Sequence, residues 1–399
     1  MGRNARRRRE QADESATRAN ACRVGFVDGA LVEIVGPRDE SYRVEFRDAD
    51  SGELVHAGRI RTNQWIRTAR SFFVRWDVRV WREDDAEPTL THVLDLRGRR
   101  VYVACESRSL GDTLAWMPAI ERFRAQHGCE LVCSTFLNGM LRAGYPEIEF
   151  VEPGTQVDGL YALYRVGWFH RDDGAIDADR NPVSFRERPL AATASDILGL
   201  PHEEVRPRLS FDAGARPIAR PYVCIGVHAT AQAKYWNAPD GWAELVRFLA
   251  GEGFEVVLLS GEGRAHMGNV APDGVTVLPP GPIDEVVRYL RHAEMFVGVG
   301  SGLSWLAWAV GCRTCLISGF SEPYTEMADC IRVAAPPGVC SGCFNRHRLD
   351  AGDWSWCPDR SADPARRFEC TRSIRGRDVV DAIRPHLGRA TAAGATRLA

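Results

Sequence analysis

The sequence predicts an α/β protein with two open-sheet domains, a small antiparallel β-domain in front of them and a cysteine-rich segment behind. Three observations predict it. From Arg99 onward, short apolar strands alternate with helices, the pattern of parallel βαβ units. Ahead of them, from Val24 to about His92, apolar residues recur with a period of two. Four of the 12 cysteines fall in the last 60 residues, in polar, loop-like surroundings. At 399 residues the chain has room for two or three domains. Its composition, 45% hydrophobic and 26% charged, excludes a largely disordered or collagen-like chain. The net charge of -2 excludes an overall nucleic-acid-binding character. The longest apolar runs, such as Val256-Val257-Leu258-Leu259, are too short to span a membrane. The basic start, Arg6 to Arg9, leads into Glu10, Asp13 and Glu14 rather than an apolar stretch, so neither a signal peptide nor a membrane span is expected. A cytoplasmic location follows as the expectation.

Taken in order, residues 1–21 read as a solvated, disordered basic tail. Over residues 22–97, Leu31–Ile34, Tyr42–Phe46 and Phe72–Trp81 alternate as strands, with turn signals at Gly36-Pro37 and Asp50-Ser51-Gly52. These make the small β-domain, its aromatic side chains serving packing or assembly. Residues 98–215 open with the strand Val101–Cys105. The loop Glu106–Gly111, a helix through Trp116 and Phe123, and the strand Glu130–Cys133 follow. A Pro-rich stretch, Arg206-Pro207 to Arg220-Pro221, is the expected linker. Residues 216–399 begin with Tyr222–Val227 and continue through the strands Phe254–Gly261, Met295–Val299 and Thr314–Ile317, separated by helices over 242–249, 283–290 and 302–310. Two such domains enclose a cleft at their strand C-termini, where ligands of these sheets bind.

Four motifs carry chemistry. Cys340-x2-Cys343-x13-Cys357-x12-Cys370 gathers four thiols in a hydrophilic stretch, which points to a closed tetrahedral metal site. Spacing does not choose between zinc and iron. The stretch carries few apolar residues, so metal bonds are expected to order it. In the loop Ser107–Asp112, Gly111 permits a tight turn and Asp112 stands at the start of a helix. That carboxylate reads equally as a helix cap or as a general base facing the cleft. The stretch His228–Asn237 holds Lys234, the single lysine against 50 arginines. A compact ammonium where a planar guanidinium does not fit is one reason for such a lone lysine. Finally, Gly300-Ser301-Gly302-Leu303 opens a helix whose free N–H groups and dipole favour a phosphate. With Lys234 on the same cleft wall, a diphosphate site is expected, with Thr230, Ser260 and Gly261 as further nucleotide contacts.

Leu110-Gly111-Asp112 with Pro118 resembles the first-domain signature of the inverting heptosyltransferases. Glu106–Thr113, Lys234-Tyr235-Trp236-Asn237, Ser301–Trp308 and the four-cysteine segment together resemble the bacterial autotransporter heptosyltransferases, over about residues 24–385. The resemblance implies a GT-B fold of two Rossmann-like domains and ADP-heptose as the donor. It implies Ser or Thr hydroxyls of an autotransporter adhesin passenger as acceptors. Asp112 would be the general base of an inverting transfer, and Lys234 would stabilise the departing ADP. It also implies iron rather than zinc at the four cysteines, and a large ring-like homo-oligomer such as a dodecamer. In lipopolysaccharide heptosyltransferases the last helix opening carries Asp-Thr-Gly and then His; here Gly300, Ser301 and Trp305 take those places. Two alternatives remain: transfer to a lipopolysaccharide core, and a non-enzymatic assembly protein on a degenerate transferase fold.

Overall fold

The computed structural model describes residues 19–211 and 214–388. The tail expected over 1–21 therefore lies almost wholly outside the described residues, as does the chain after 388. Within the described part, Asn20 already hydrogen-bonds Glu40, Tyr42 and Thr62, and a strand begins at Ala21.

The N-terminal α/β sheet has seven strands. Glu149–Val151, Glu130–Ser134, Arg100–Cys105, Ala162–Val166 and Ala21–Val27 run parallel in that spatial order; Leu31–Val35 and Gln64–Arg67 then extend the sheet antiparallel. This corrects the sequence reading of 22–97 as one self-contained β-domain. Phe26 and Val27 pair with Ala162 and Leu163, which makes the first strand a member of the α/β sheet. Only Leu54–Arg61, Ser41–Asp48, Trp76–Arg82 and Leu90–Val93 form a separate antiparallel sheet. Period-two burial builds it: Tyr42, Val44 and Phe46 face Trp76, Val78 and Val80 in the core. Phe72 and Phe73, expected in a strand, lie outside one. Phe73 instead packs edge-on against Phe123, 5.5 Å between ring centroids.

The C-terminal sheet is parallel throughout, in the order Thr276–Val277, Glu255–Leu258, Tyr222–Gly226, Phe296–Val299, Thr314–Ser318 and Ile331–Ala334. Its central strands are buried on both faces, as helices covering both sides require. Between the helix Ala192–Ile197 and Tyr222 the described residues contain no regular element. Among the described residues, no helix is long and apolar enough to cross a membrane.

The two halves meet where two helices begin. The helix Leu110–His127 follows the strand Arg100–Cys105, and Gly302–Ala309 follows Phe296–Val299. A Cβ on Gly111 would come within 2.7 Å of Trp305, and one on Gly302 within 2.9 Å of Leu110. Gly111 lies within the first helical turn and has no positive φ. It is therefore required for close approach between helices, and not for the tight turn expected from sequence.

Candidate active site

The cleft between the halves gathers Gly111 and Asp112 from the first domain with Lys234, Gly300, Ser301 and Gly302 from the second around one cavity. The enclosed space is about 80 Å³. That is well below the roughly 300–1,000 Å³ of a pocket that swallows a whole drug-sized ligand. It suits the reacting end of a larger ligand.

Asp112 owes its availability to its neighbours. Ser109 is the residue that caps the helix: its Oγ accepts from the Asp112 N–H at 3.4 Å. The carboxylate is left free of cap duty and accepts a hydrogen bond from Ser107 Oγ at 2.6 Å. Asp112 is only 6% exposed. Burial pushes its pKa up, against the opposing pull of the Ser107 hydroxyl, the Lys234 charge and Ser109. The outcome is a carboxylate more basic than one in water.

Lys234 ends the short helical turn Gln232–Lys234, and its Nζ lies 3.3 Å from Thr230 Oγ1 and 5.3 Å from the centre of the Phe320 ring. The side chain lines an open cleft, yet protein crowds its ammonium. Burial lowers its pKa, while the charges of Asp112 and Glu326 raise it. In the same domain, no side chain caps the start of helix Gly302–Ala309, and the buried Ser301 Oγ has no hydrogen-bond partner. A lysine ammonium and an uncapped helix start on one wall suit an anionic leaving group, with a basic carboxylate on the facing wall.

The other expected nucleotide contacts stand apart from this cavity. Thr230 reaches it only through Lys234. Ser260 is buried, 2.8 Å from His228 Nδ1, and donates to Glu262 at 3.0 Å. Gly261 has open space around it, and the side chain of Leu303 lies against Gly226 under the helix start. The sequence reading missed several wall residues: Ser109, Trp168, Leu190, Trp305, Phe320, Ser321, Thr325, Glu326 and Phe344. Phe320 to Glu326 follow the C-terminus of strand Thr314–Ser318, and the strand-end rule that singled out Lys234 and Ser301 could have found them.

All 12 cysteines are free thiols. Cys340, Cys343, Cys357 and Cys370 lie close enough to influence one another. Burial pushes the Cys343 thiol up, and the other three cysteines push it further. Cys370 is pushed up to about 11 by burial, with Cys340 and Cys357 adding to the rise. Cys340 donates to Asp359 at 3.4 Å, and Phe368 N donates to Cys357 Sγ at 3.5 Å. Among the described residues, however, no three or more His, Cys, Asp or Glu side chains stand in a metal-holding arrangement. The donor chemistry nevertheless fits a divalent ion. Four thiolates around it leave two excess negative charges; Arg346 and Arg360 sit near Cys340, already ion-paired with Asp359 and Glu369. The segment is also less polar in its packing than its sequence implied. Cys343 and Trp356 are buried with Phe320 and Ala233, and Phe344, Leu349 and Phe368 pack against them. Through Phe344 the segment forms part of the cleft wall.

Residues 165–333 match glycosyltransferase family 9 (heptosyltransferase). The autotransporter heptosyltransferase Aah of Escherichia coli is 37% identical over 90% of this chain and 91% of its own length. Crystal structures of TibC from enterotoxigenic E. coli, an iron-containing dodecameric glycosyltransferase, superpose with a TM-score of 0.84. One is 36% identical and covers 92% of this chain and 95% of TibC. The other holds ADP-D-β-D-heptose, is 35% identical and covers 93% of this chain and 97% of TibC. BimC of Burkholderia thailandensis, an autotransporter heptosyltransferase described as inactive, is 33% identical over 91% of this chain and 85% of its own. With more than a third of the residues identical across nearly the whole of both chains, this protein belongs to the autotransporter heptosyltransferase family.

Proposed function

We propose that the chain transfers a heptosyl group from ADP-heptose to Ser or Thr hydroxyls of an autotransporter adhesin passenger, with inversion at the anomeric carbon. The observation that carries this reading is the meeting of Asp112 and Lys234, from different domains, around one cavity. Asp112 takes the proton of the acceptor hydroxyl. The oxygen attacks the anomeric carbon from the face opposite the nucleotide, and the bond to the diphosphate breaks. ADP leaves with the bonding electrons, and its negative charge is met by Lys234 and the start of helix Gly302–Ala309. A single displacement of this kind inverts the configuration. TibC, whose structure holds ADP-D-β-D-heptose, supports the donor. An inactive relative exists, so membership alone does not confer activity; the convergence of Asp112 and Lys234 on one cavity supports it here.

The proposal extends to the rest of the molecule. Cys340, Cys343, Cys357 and Cys370 hold one structural iron, with zinc as the alternative, and that ion takes no part in the transfer. Iron in TibC supports the metal, and the thiol donor set suits it. The chain forms a large homo-oligomer. The dodecameric TibC supports this, as does Trp65, 60% exposed on the edge strand Gln64–Arg67. Eight free thiols outside the metal segment support a reducing, cytoplasmic location.

Release of ADP from ADP-heptose tests the reading. Purified protein should release ADP slowly on its own and much faster when an autotransporter passenger is added. Acceleration by a lipopolysaccharide core oligosaccharide alone would overturn the protein acceptor. No release with any acceptor would leave the non-enzymatic alternative.

A further inference from the structure

Glu326 places a second carboxylate in a cleft that, on the proposed reading, receives an anionic donor. It follows the strand Thr314–Ser318, is 8% exposed and lines the same cavity as Asp112 and Lys234. Ser321 Oγ donates to its Oε1, and Arg332 Nη1 lies 3.0 Å from its Oε2. Arg332 does not line the cavity; it anchors the carboxylate from behind, on strand Ile331–Ala334. Gly300 supplies the room in front. A Cβ at that position would stand 3.3 Å from Oε1, so any side chain at 300 would crowd the carboxylate. Lys234 feels both Asp112 and Glu326, which puts its ammonium under the influence of two carboxylates.

A carboxylate repels a diphosphate, so charge alone gives Glu326 no part in holding ADP. It attracts hydroxyls. A carboxylate offers about four acceptor positions; Ser321 takes one on Oε1, and Oε2, though ion-paired with Arg332, has no hydrogen-bond partner. On the ADP-sugar reading, the transferred sugar lies between the diphosphate anchors and Asp112, and Trp168, Trp305, Phe320 and Phe344 give that space apolar walls. We propose that Glu326 accepts a hydrogen bond from a hydroxyl of the transferred sugar and thereby selects it. This rests on the ADP-sugar donor reading and adds a sugar-recognising residue to it.

The test is calorimetric titration of the full-length protein with ADP and with ADP-heptose separately. A Glu326→Met/Arg332→Met double variant removes the ion pair together, so no buried charge is stranded. Glu326→Gln keeps the shape as a second variant. The double variant should lose about tenfold or more in ADP-heptose affinity, as loss of a hydrogen bond to a charged group implies. Glu326→Gln should show a smaller loss in the same direction. ADP should bind the double variant as tightly as the wild type, because one charge of each sign has gone, and Glu326→Gln as tightly or tighter, because only a negative charge has gone. Equal losses for ADP and ADP-heptose, or wild-type ADP-heptose affinity in both variants, would overturn the assignment. A wild-type chain that binds neither ligand would remove the donor reading, and the role of Glu326 with it.

Discussion

At the scale of single residues, the division of labour between Ser109 and Asp112 makes the site. Asp112 is visible in the sequence, but its cap and base roles are not separable there. Both need a carboxylate at a helix start, and only the three-dimensional path of Ser107–Asp112 shows Ser109 serving as the cap. Lys234 is legible as a lone lysine; Glu326 is not, because nothing local distinguishes it from the other acidic residues of the chain. The upward shift of Asp112 has a consequence for stability. A carboxyl whose folded pKa exceeds its unfolded value favours folding only while protonated. That contribution is complete below the unfolded pKa and is lost as the pH rises through the folded one. At pH 7 Asp112 therefore costs stability relative to low pH. Asp112→Asn should lower transfer by about 10²–10⁴-fold, as removal of a general base does. Its melting temperature at pH 7 should equal or exceed that of the wild type. The gap should close as the pH falls to about 4, where both side chains become neutral. A clear drop in melting temperature at pH 7 would count against the shift.

At the scale of elements, the close approach of two helix starts and the four-cysteine segment build the cleft. Gly111 and Gly302 stand out in the sequence, yet their purpose depends on Trp305 and Leu110, residues brought to them from the other domain. Sequence inspection alone assigned Gly111 to a turn because turns are local and domain contacts are not. The cysteine spacing was equally legible, while the inward reach of Phe344 was not. Its ring sits 5.2 Å from Trp168 and 5.3 Å from Phe320, both distant in sequence. The four-cysteine segment and the cleft are thus linked through packing. Cys343→Ser should lower bound metal, melting temperature and turnover together, Cys343 being buried beside Phe320. Elemental analysis of freshly purified wild type should find about one iron per chain. Stoichiometric zinc would reject only the choice of metal, and absence of both would reject the site. A metal-free variant with unchanged melting temperature would reject the structural role.

At the scale of the whole molecule, the alternation of strands and helices gives the class of fold and several parallel strands in each domain, but not Glu149–Val151, Ala162–Val166, Thr276–Val277 or Ile331–Ala334. Nor does it give the front boundary. Ala21–Val27 joins a strand some 140 residues away, Ala162–Val166, and period-two alternation says which faces are apolar without naming the neighbour. On the proposed reading, transfer depends on this whole architecture, since Asp112 and Lys234 belong to different domains. The most direct measurement of the central claim is the intact mass of a passenger protein co-expressed with this chain, either wild type or Asp112→Ala. The wild type should give a ladder of whole heptosyl increments, and Asp112→Ala an unmodified mass. An unmodified passenger beside the folded wild-type protein, or the same ladder with both, would contradict that claim.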